Sequence, residues 1–152
     1  MKNLTSIALF LIAISVSAQS KHVTVSGTHF TQGVDSKKWS NDTNEASTSA
    51  KFKEYSGESY ITFVSDANVK LLFDYVLALT KGEGEIVFSG NGEERHVATL
   101  ALGSNGKGVN TDKKTFELEA GKEYRLVFKG KNAKGMFKCK WTETGRELTL
   151  DN

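Results

Sequence analysis

The chain has 152 residues, a net charge of +2 with both signs interspersed, 14 glycines, no proline and one cysteine. So even a balance offers no basic patch for nucleic acid and argues against a strongly acidic substrate. A lone cysteine excludes an intramolecular disulfide, and without proline every residue can donate to a β-ladder.

The N-terminus has the layout of a cleavable secretory signal. One positive charge, Lys2, precedes the apolar run at residues 7–16 (IALFLIAISV), and Val16-Ser17-Ala18 forms an A-x-A-like site before Gln19. The run is too short to span a bilayer, which needs ~20 apolar residues. Cleavage after residue 18 would leave a 134-residue domain, 19–152, with a net charge of +1. That length suits one core held by burial alone, in an extracytoplasmic compartment, periplasmic or secreted.

Past the signal, period-2 alternation recurs in short runs bounded by Gly, Asn, Asp and Ser, which predicts an all-β, antiparallel sandwich of about eight strands. Residues 22–26, 52–55 and 60–65 read as strands in the first half. Between them, residues 35–50 (DSKKWSNDTNEASTSA) read as a long polar loop with one apolar feature, Trp39. In residues 70–80, Leu71, Phe73, Tyr75, Leu77 and Leu79 share a face. Residues 81–84 (KGEG) then predict a hairpin turn, with 85–89 as the return strand. The next strand, 95–102, aligns His96, Ala98, Leu100 and Leu102, and residues 103–112 form a glycine-rich loop. Three strands follow at 115–119, 123–129 and 136–142, the last two joined by a turn at 130–135 (GKNAKG). The last alternates strictly, with Phe137, Cys139 and Trp141 inward and Lys138, Lys140 and Thr142 toward water. Residues 147–150 would add an edge strand.

From Thr115 to Trp141 the order Phe-x-Leu-x-Ala-Gly-Lys-x-Tyr-x-Leu-x-Phe, a Gly/Asn turn, and Gly-x-Phe-x-Cys-x-Trp resembles the closing strands of small secreted bacterial β-sandwiches. Among these are jelly-roll carbohydrate-binding modules and the domains appended to secreted peptidases. The resemblance implies a jelly-roll-like sandwich used for binding or accessory roles, and carries over no binding residue.

Catalytic signatures are missing. His22, His29 and His96 form no metal-binding pair, Gly103-Ser104-Asn105-Gly106 lacks nucleophile-elbow spacing, and Cys139 falls in phase with core residues. Asp74 interrupts an apolar run, and the simpler expectation is that it meets solvent or a lysine of the next strand. Residues 41–45 (NDTNE) offer oxygen ligands for a structural calcium but lack EF-hand spacing, and no other cofactor is expected. Asn41-Asp42-Thr43 is an N-glycosylation sequon. Trp39 is the strongest binding candidate, with Asn41, Asp42 and Asn44 beside it as hydrogen-bonding groups, although the simpler expectation for a tryptophan is that it folds back as a lid over one end of the core. The expectation is a non-catalytic module that binds carbohydrate, the alternative being a small protein-binding protein, an inhibitor, adhesin-like or assembly component that binds a protein partner through a sheet face or an exposed edge strand.

Overall fold

A computed structural model of the chain describes residues 21–26, 38–103 and 106–146. Seven strands form one hydrogen-bonded antiparallel network: β1 (Val23–Ser26), β2 (Trp39–Thr43), β3 (Ser47–Ser65), β4 (Val69–Gly90), β5 (Glu93–Ala101), β6 (Gly108–Leu118) and β7 (Glu123–Arg146). Three of these run for 19, 22 and 24 residues. Drawn straight, 22 residues would reach ~70 Å, far beyond a globule of this size. They bend instead, and each serves two layers.

The register shows where. The β3–β7 ladder shifts between Phe52 and Gly57, and the β4–β7 ladder shifts between Leu79 and Glu83. On one side of these shifts lies a front sheet of β2, the first half of β3, the second half of β7, the first half of β4, and β6. On the other lies a back sheet of β1, the second half of β3, the first half of β7, the second half of β4, and β5. Three corners therefore stand side by side, with Tyr55 opposite Ala133 and Lys81 opposite Lys134. Left-handed backbone makes the fold-over possible, at Glu54 (φ 52°), Gly82 (φ 80°) and Asn132 (φ 48°). At Gly82 the fit admits no side chain, because a Cβ would lie 2.3 Å from the Asn132 carbonyl oxygen.

The two layers meet through aromatic side chains. Phe63 of the back sheet packs 5.7 Å from Phe73 and 5.0 Å from Trp141 of the front. Phe88 lies 4.8 Å from Phe116, and Phe128 lies 4.7 Å from Phe52 and 5.0 Å from Phe137. This is the all-β, jelly-roll-like sandwich that the alternation predicts, built from seven continuous strands. Phe137, Cys139 and Trp141 are buried as expected.

Several local expectations are corrected. Residues 81–84 and 130–135 are not hairpin turns: the chain passes through both as corners of β4 and β7, and 70–80 pairs with β6 and β7, never with 85–89. Residues 52–55 and 60–65 belong to one strand, β3, and β6 starts at Gly108 inside the expected loop. In β5 a bulge between the partners of Ile86 and Val87 buries both Val97 and Ala98, so His96 turns outward, out of phase with Ala98. The β4–β5 connection is a two-residue turn at Asn91 (φ 52°) and Gly92 (φ 78°), the pairing a type I′ hairpin demands. The signal at 1–18, His29, Ser104 and residues 147–150 lie outside the described residues.

Candidate binding site

The stretch around Trp39 is no loop. Residues 39–43 form β2 and pair with residues 48–52 of β3, Trp39 opposite Phe52 and Thr43 opposite Thr48. Asn44 closes the hairpin: its Oδ1 accepts the amides of Ala46 and Ser47, both at 2.9 Å. A strand with one apolar residue on its inner face leaves almost no alternation to read, which is why 35–50 looks like a loop in sequence.

Trp39 is 8 % exposed, with ring centroids of Tyr55 at 4.6 Å, Phe52 at 5.7 Å and Phe128 at 6.2 Å. Its Nε1–H donates to Asn41 Oδ1 at 3.0 Å. The indole is folded back over the core, as the simpler expectation has it, and does not stand free on a loop. Of the four candidate residues the structure brings Trp39 and Asn41 together, with Asp42 on the opposite, outer face and Asn44 spent on the turn. Among the described residues no three His, Cys, Asp or Glu side chains stand together as metal ligands.

Other singled-out groups have structural partners. Asp74 faces outward, 3.7 Å from Lys113 of the neighbouring strand β6. His22 Nδ1 lies 2.6 Å from Asp66, and His96 pairs with Glu85. Cys139 is fully buried, and that burial, reinforced by the charge of Asp74, pushes its thiol pKa far up.

What the front sheet does present is a shallow recess of about 440 Å³ on its outer face, at the corner end. Met136 lies at its floor with the strand segments at Trp39, Phe52 and Gly135, whose side chains or Cα face the core; the rim is Ser40, Thr80 and four lysines, 38, 51, 53 and 134. The register lays this out, with Ser40, Lys51 and Met136 in one row across three strands. Gly135 stands between Phe52 and Leu79, pressed against the Ala78 backbone. Lys38 pairs with Glu54 at 2.9 Å. That bond, then the charge of Lys38 and those of Lys81 and Lys134, hold the exposed Glu54 carboxyl below its ordinary range.

A second cavity, of about 400 Å³, opens at the far end beside Lys21, His22, Trp141 and Glu143. Its polar groups are committed to holding β1. Glu143 accepts the backbone amides of His22 and Val23 at 2.8–3.2 Å, Lys21 pairs with Glu45 at 2.8 Å, and Trp141 Nε1–H donates to the Glu45 carbonyl at 2.9 Å. The front-sheet recess, with apolar surface and the ammonium groups of Lys51, Lys53 and Lys134 at its rim, is the better binding surface.

No family model and no curated protein sequence matches the chain. Among solved structures it is similar to a carbohydrate-binding module from Cellvibrio mixtus lichenase 5A in complex with cellotriose, at 16% identity, TM-score 0.36, covering 64% of this chain and 79% of that one. It is similar to a variant of a family 29 carbohydrate-binding module at 12% identity and TM-score 0.37, covering 83% and 89%. A third is the module TmCBM61 in complex with beta-1,4-galactotriose, at 12% identity and TM-score 0.35, covering 80% and 88%. Likeness at this level transfers no binding residue and no ligand to this chain. Among the described residues no helix is long and apolar enough to cross a membrane.

Proposed function

We propose that the chain is an extracytoplasmic, non-catalytic binding module that takes carbohydrate on the outer face of the front sheet. The observation that carries this reading is the recess: an apolar floor bounded by hydroxyl and ammonium donors on a rigid sheet. A sugar ring has one apolar face and a girdle of hydroxyls, and it is complementary to that arrangement. Trp39 stiffens the recess from beneath, through its packing on Phe52 and Tyr55. The signal-like segment at residues 1–18 supports the extracytoplasmic part of this reading.

The test is a glycan array probed with the purified mature chain, followed by calorimetry on the hits. Met136→Gln keeps the side-chain length and makes the floor polar. It should weaken binding roughly fivefold, about 1 kcal/mol of lost apolar contact, with the melting curve unmoved. An array on which no glycan of any class is retained ends the carbohydrate reading.

A further inference from the structure

The two outer faces of the sandwich differ in how their charges are matched. On the back sheet, cations are satisfied within the face. Lys129 lies 3.1 Å from Glu94, Arg125 lies 2.8 Å from Glu123 and 4.7 Å from the Tyr60 ring centre, and His96 pairs with Glu85. On the front sheet the pattern breaks. Lys51, Lys53, Lys134, Lys138 and Lys140 all point outward, and among the described residues none of them has an ion pair.

Their placement is ordered by the ladder. Lys51 stands opposite Met136, Lys138 opposite Ser49, and Lys140 between Ser47 and Asp74. Lysines 138 and 140 are two residues apart on β7, as are 51 and 53 on the adjoining β3. Such a spacing puts like charges ~7 Å apart along a strand, with neighbouring strands ~5 Å apart. The acids on the same face are few. Asp42 sits at its edge, Asp74 is taken by Lys113, Glu117 by Lys70 and Glu54 by Lys38. Holding unpaired ammonium groups together on a flat face opposes folding through mutual repulsion, and a bound anion relieves it. The whole-chain charge of +2 hides this, because the back sheet is balanced within itself.

We infer that the ligand of this face is an acidic polysaccharide, a chain of sugar rings bearing carboxylate or sulfate groups, seated with a ring over the Met136 floor and its anions along Lys51, Lys53, Lys134, Lys138 and Lys140. The inference rests on the carbohydrate reading above and narrows it to one substrate class. Repeated anions on a linear polymer match a row of cations better than a single small anion does, and the apolar floor selects a polymer made of rings.

The experiment is affinity electrophoresis and calorimetry on the mature chain, with polygalacturonate and chondroitin sulfate as acidic probes and galactan and cellohexaose as neutral ones. Acidic probes should bind and neutral ones bind far more weakly, with affinity falling steeply as salt rises from low to physiological strength. Lys51→Gln, Lys134→Gln and Lys138→Gln should each weaken binding roughly two- to fivefold, the scale of one exposed charge pair, and the triple variant should abolish it. Lys129→Gln on the back sheet should leave binding intact, and no front-face variant should melt below wild type, the triple variant melting slightly above it as repulsion is relieved. Equal, salt-independent binding of neutral probes would overturn the acidic class and leave carbohydrate binding standing. Absence of binding to both acidic probes would overturn the acidic class, and the carbohydrate reading would then fall only with an array that retains no glycan. Equal retention by anionic lipid vesicles or DNA would overturn recognition of a glycan, leaving only a polyanion-attracting surface.

Discussion

Tyr55 carries a cost that a single atom change can expose. Its side chain is 1 % exposed, and its hydroxyl is the one buried side-chain polar atom without a hydrogen-bond partner among the described residues. The ring is held by Trp39 at 4.6 Å and Phe128 at 5.7 Å, and Gly130 leaves room for it, since a Cβ there would lie 2.6 Å from Tyr55 Cδ1. A buried, unpartnered hydroxyl costs about 1–3 kcal/mol of desolvation. Tyr55→Phe removes that cost, keeps the ring and opens a gap one oxygen wide, so a net gain of about 1 kcal/mol is expected at pH 7. In urea titrations the midpoint should rise with an unchanged slope. The pH dependence gives an independent check. Burial, helped by the charge of Glu58, pushes the Tyr55 pKa up to about 12, whereas an unfolded tyrosine titrates near ~10. With the folded value raised, the unfolded chain sheds its proton first. Wild-type stability is therefore intact below about pH 10 and drains away as pH climbs to about 12. The phenylalanine variant lacks this loss, so its advantage should widen over that window by an amount on the order of 2–3 kcal/mol. A variant that melts below wild type at pH 7, or an advantage that stays flat with pH, would refute the account of a buried hydroxyl without a partner.

Gly135→Ala should be strongly destabilising, by about 3 kcal/mol or more, because the added Cβ would meet the Ala78 carbonyl oxygen at 2.0 Å; chemical denaturation measures it. The Cys139 thiol should resist a thiol-reactive disulfide reagent at pH 8 in the folded protein and react fully in denaturant, and rapid native labelling would contradict its burial. Asp74→Asn should shift stability by less than about 1 kcal/mol, since its partner Lys113 is an exposed cation at 3.7 Å. Glu143→Ala should free the amides of His22 and Val23 and speed hydrogen exchange along β1, leaving exchange in β4 unchanged.

The inward face of this fold is legible because burial has a period of two. Leu71, Phe73, Tyr75, Leu77 and Leu79 in β4, and Phe137, Cys139 and Trp141 in β7, are all buried where alternation puts them. The corners are not. A turn and a corner ask for the same local chemistry, left-handed residues such as Gly82 and Asn132 among polar neighbours. What separates them is where the chain goes next, and that depends on partners far away: 83–90 is held by the first half of β7, which lies about 40 residues further on. β2 escapes notice for a different reason. It hides one apolar side chain, Trp39, and its pairing with β3 supplies the rest of its stability through the ladder.

The candidate surface shows the same division between local and non-local signals. That Lys138 and Lys140 face water is readable from their alternation with Cys139 and Trp141, and Lys51 and Lys53 flank the buried Phe52 in the same way. Whether a water-facing lysine is matched is decided across strands. The ladder sets Lys129 and Glu85 opposite each other, and Glu94 closes an ion pair with Lys129, but it brings Lys51 to a methionine and Lys138 to a serine. Net charge sums both faces and returns nearly zero, so it misses a separation of charge that exists only once the sheet has folded over. The corners produce that separation: by sending the halves of β3, β4 and β7 to opposite layers, they place lysines 51, 53, 138 and 140 on one outer face and the charge-balanced segments on the other. A chain with the same composition and an unbent sheet would spread these lysines along one long surface and have no recess at the bend to go with them.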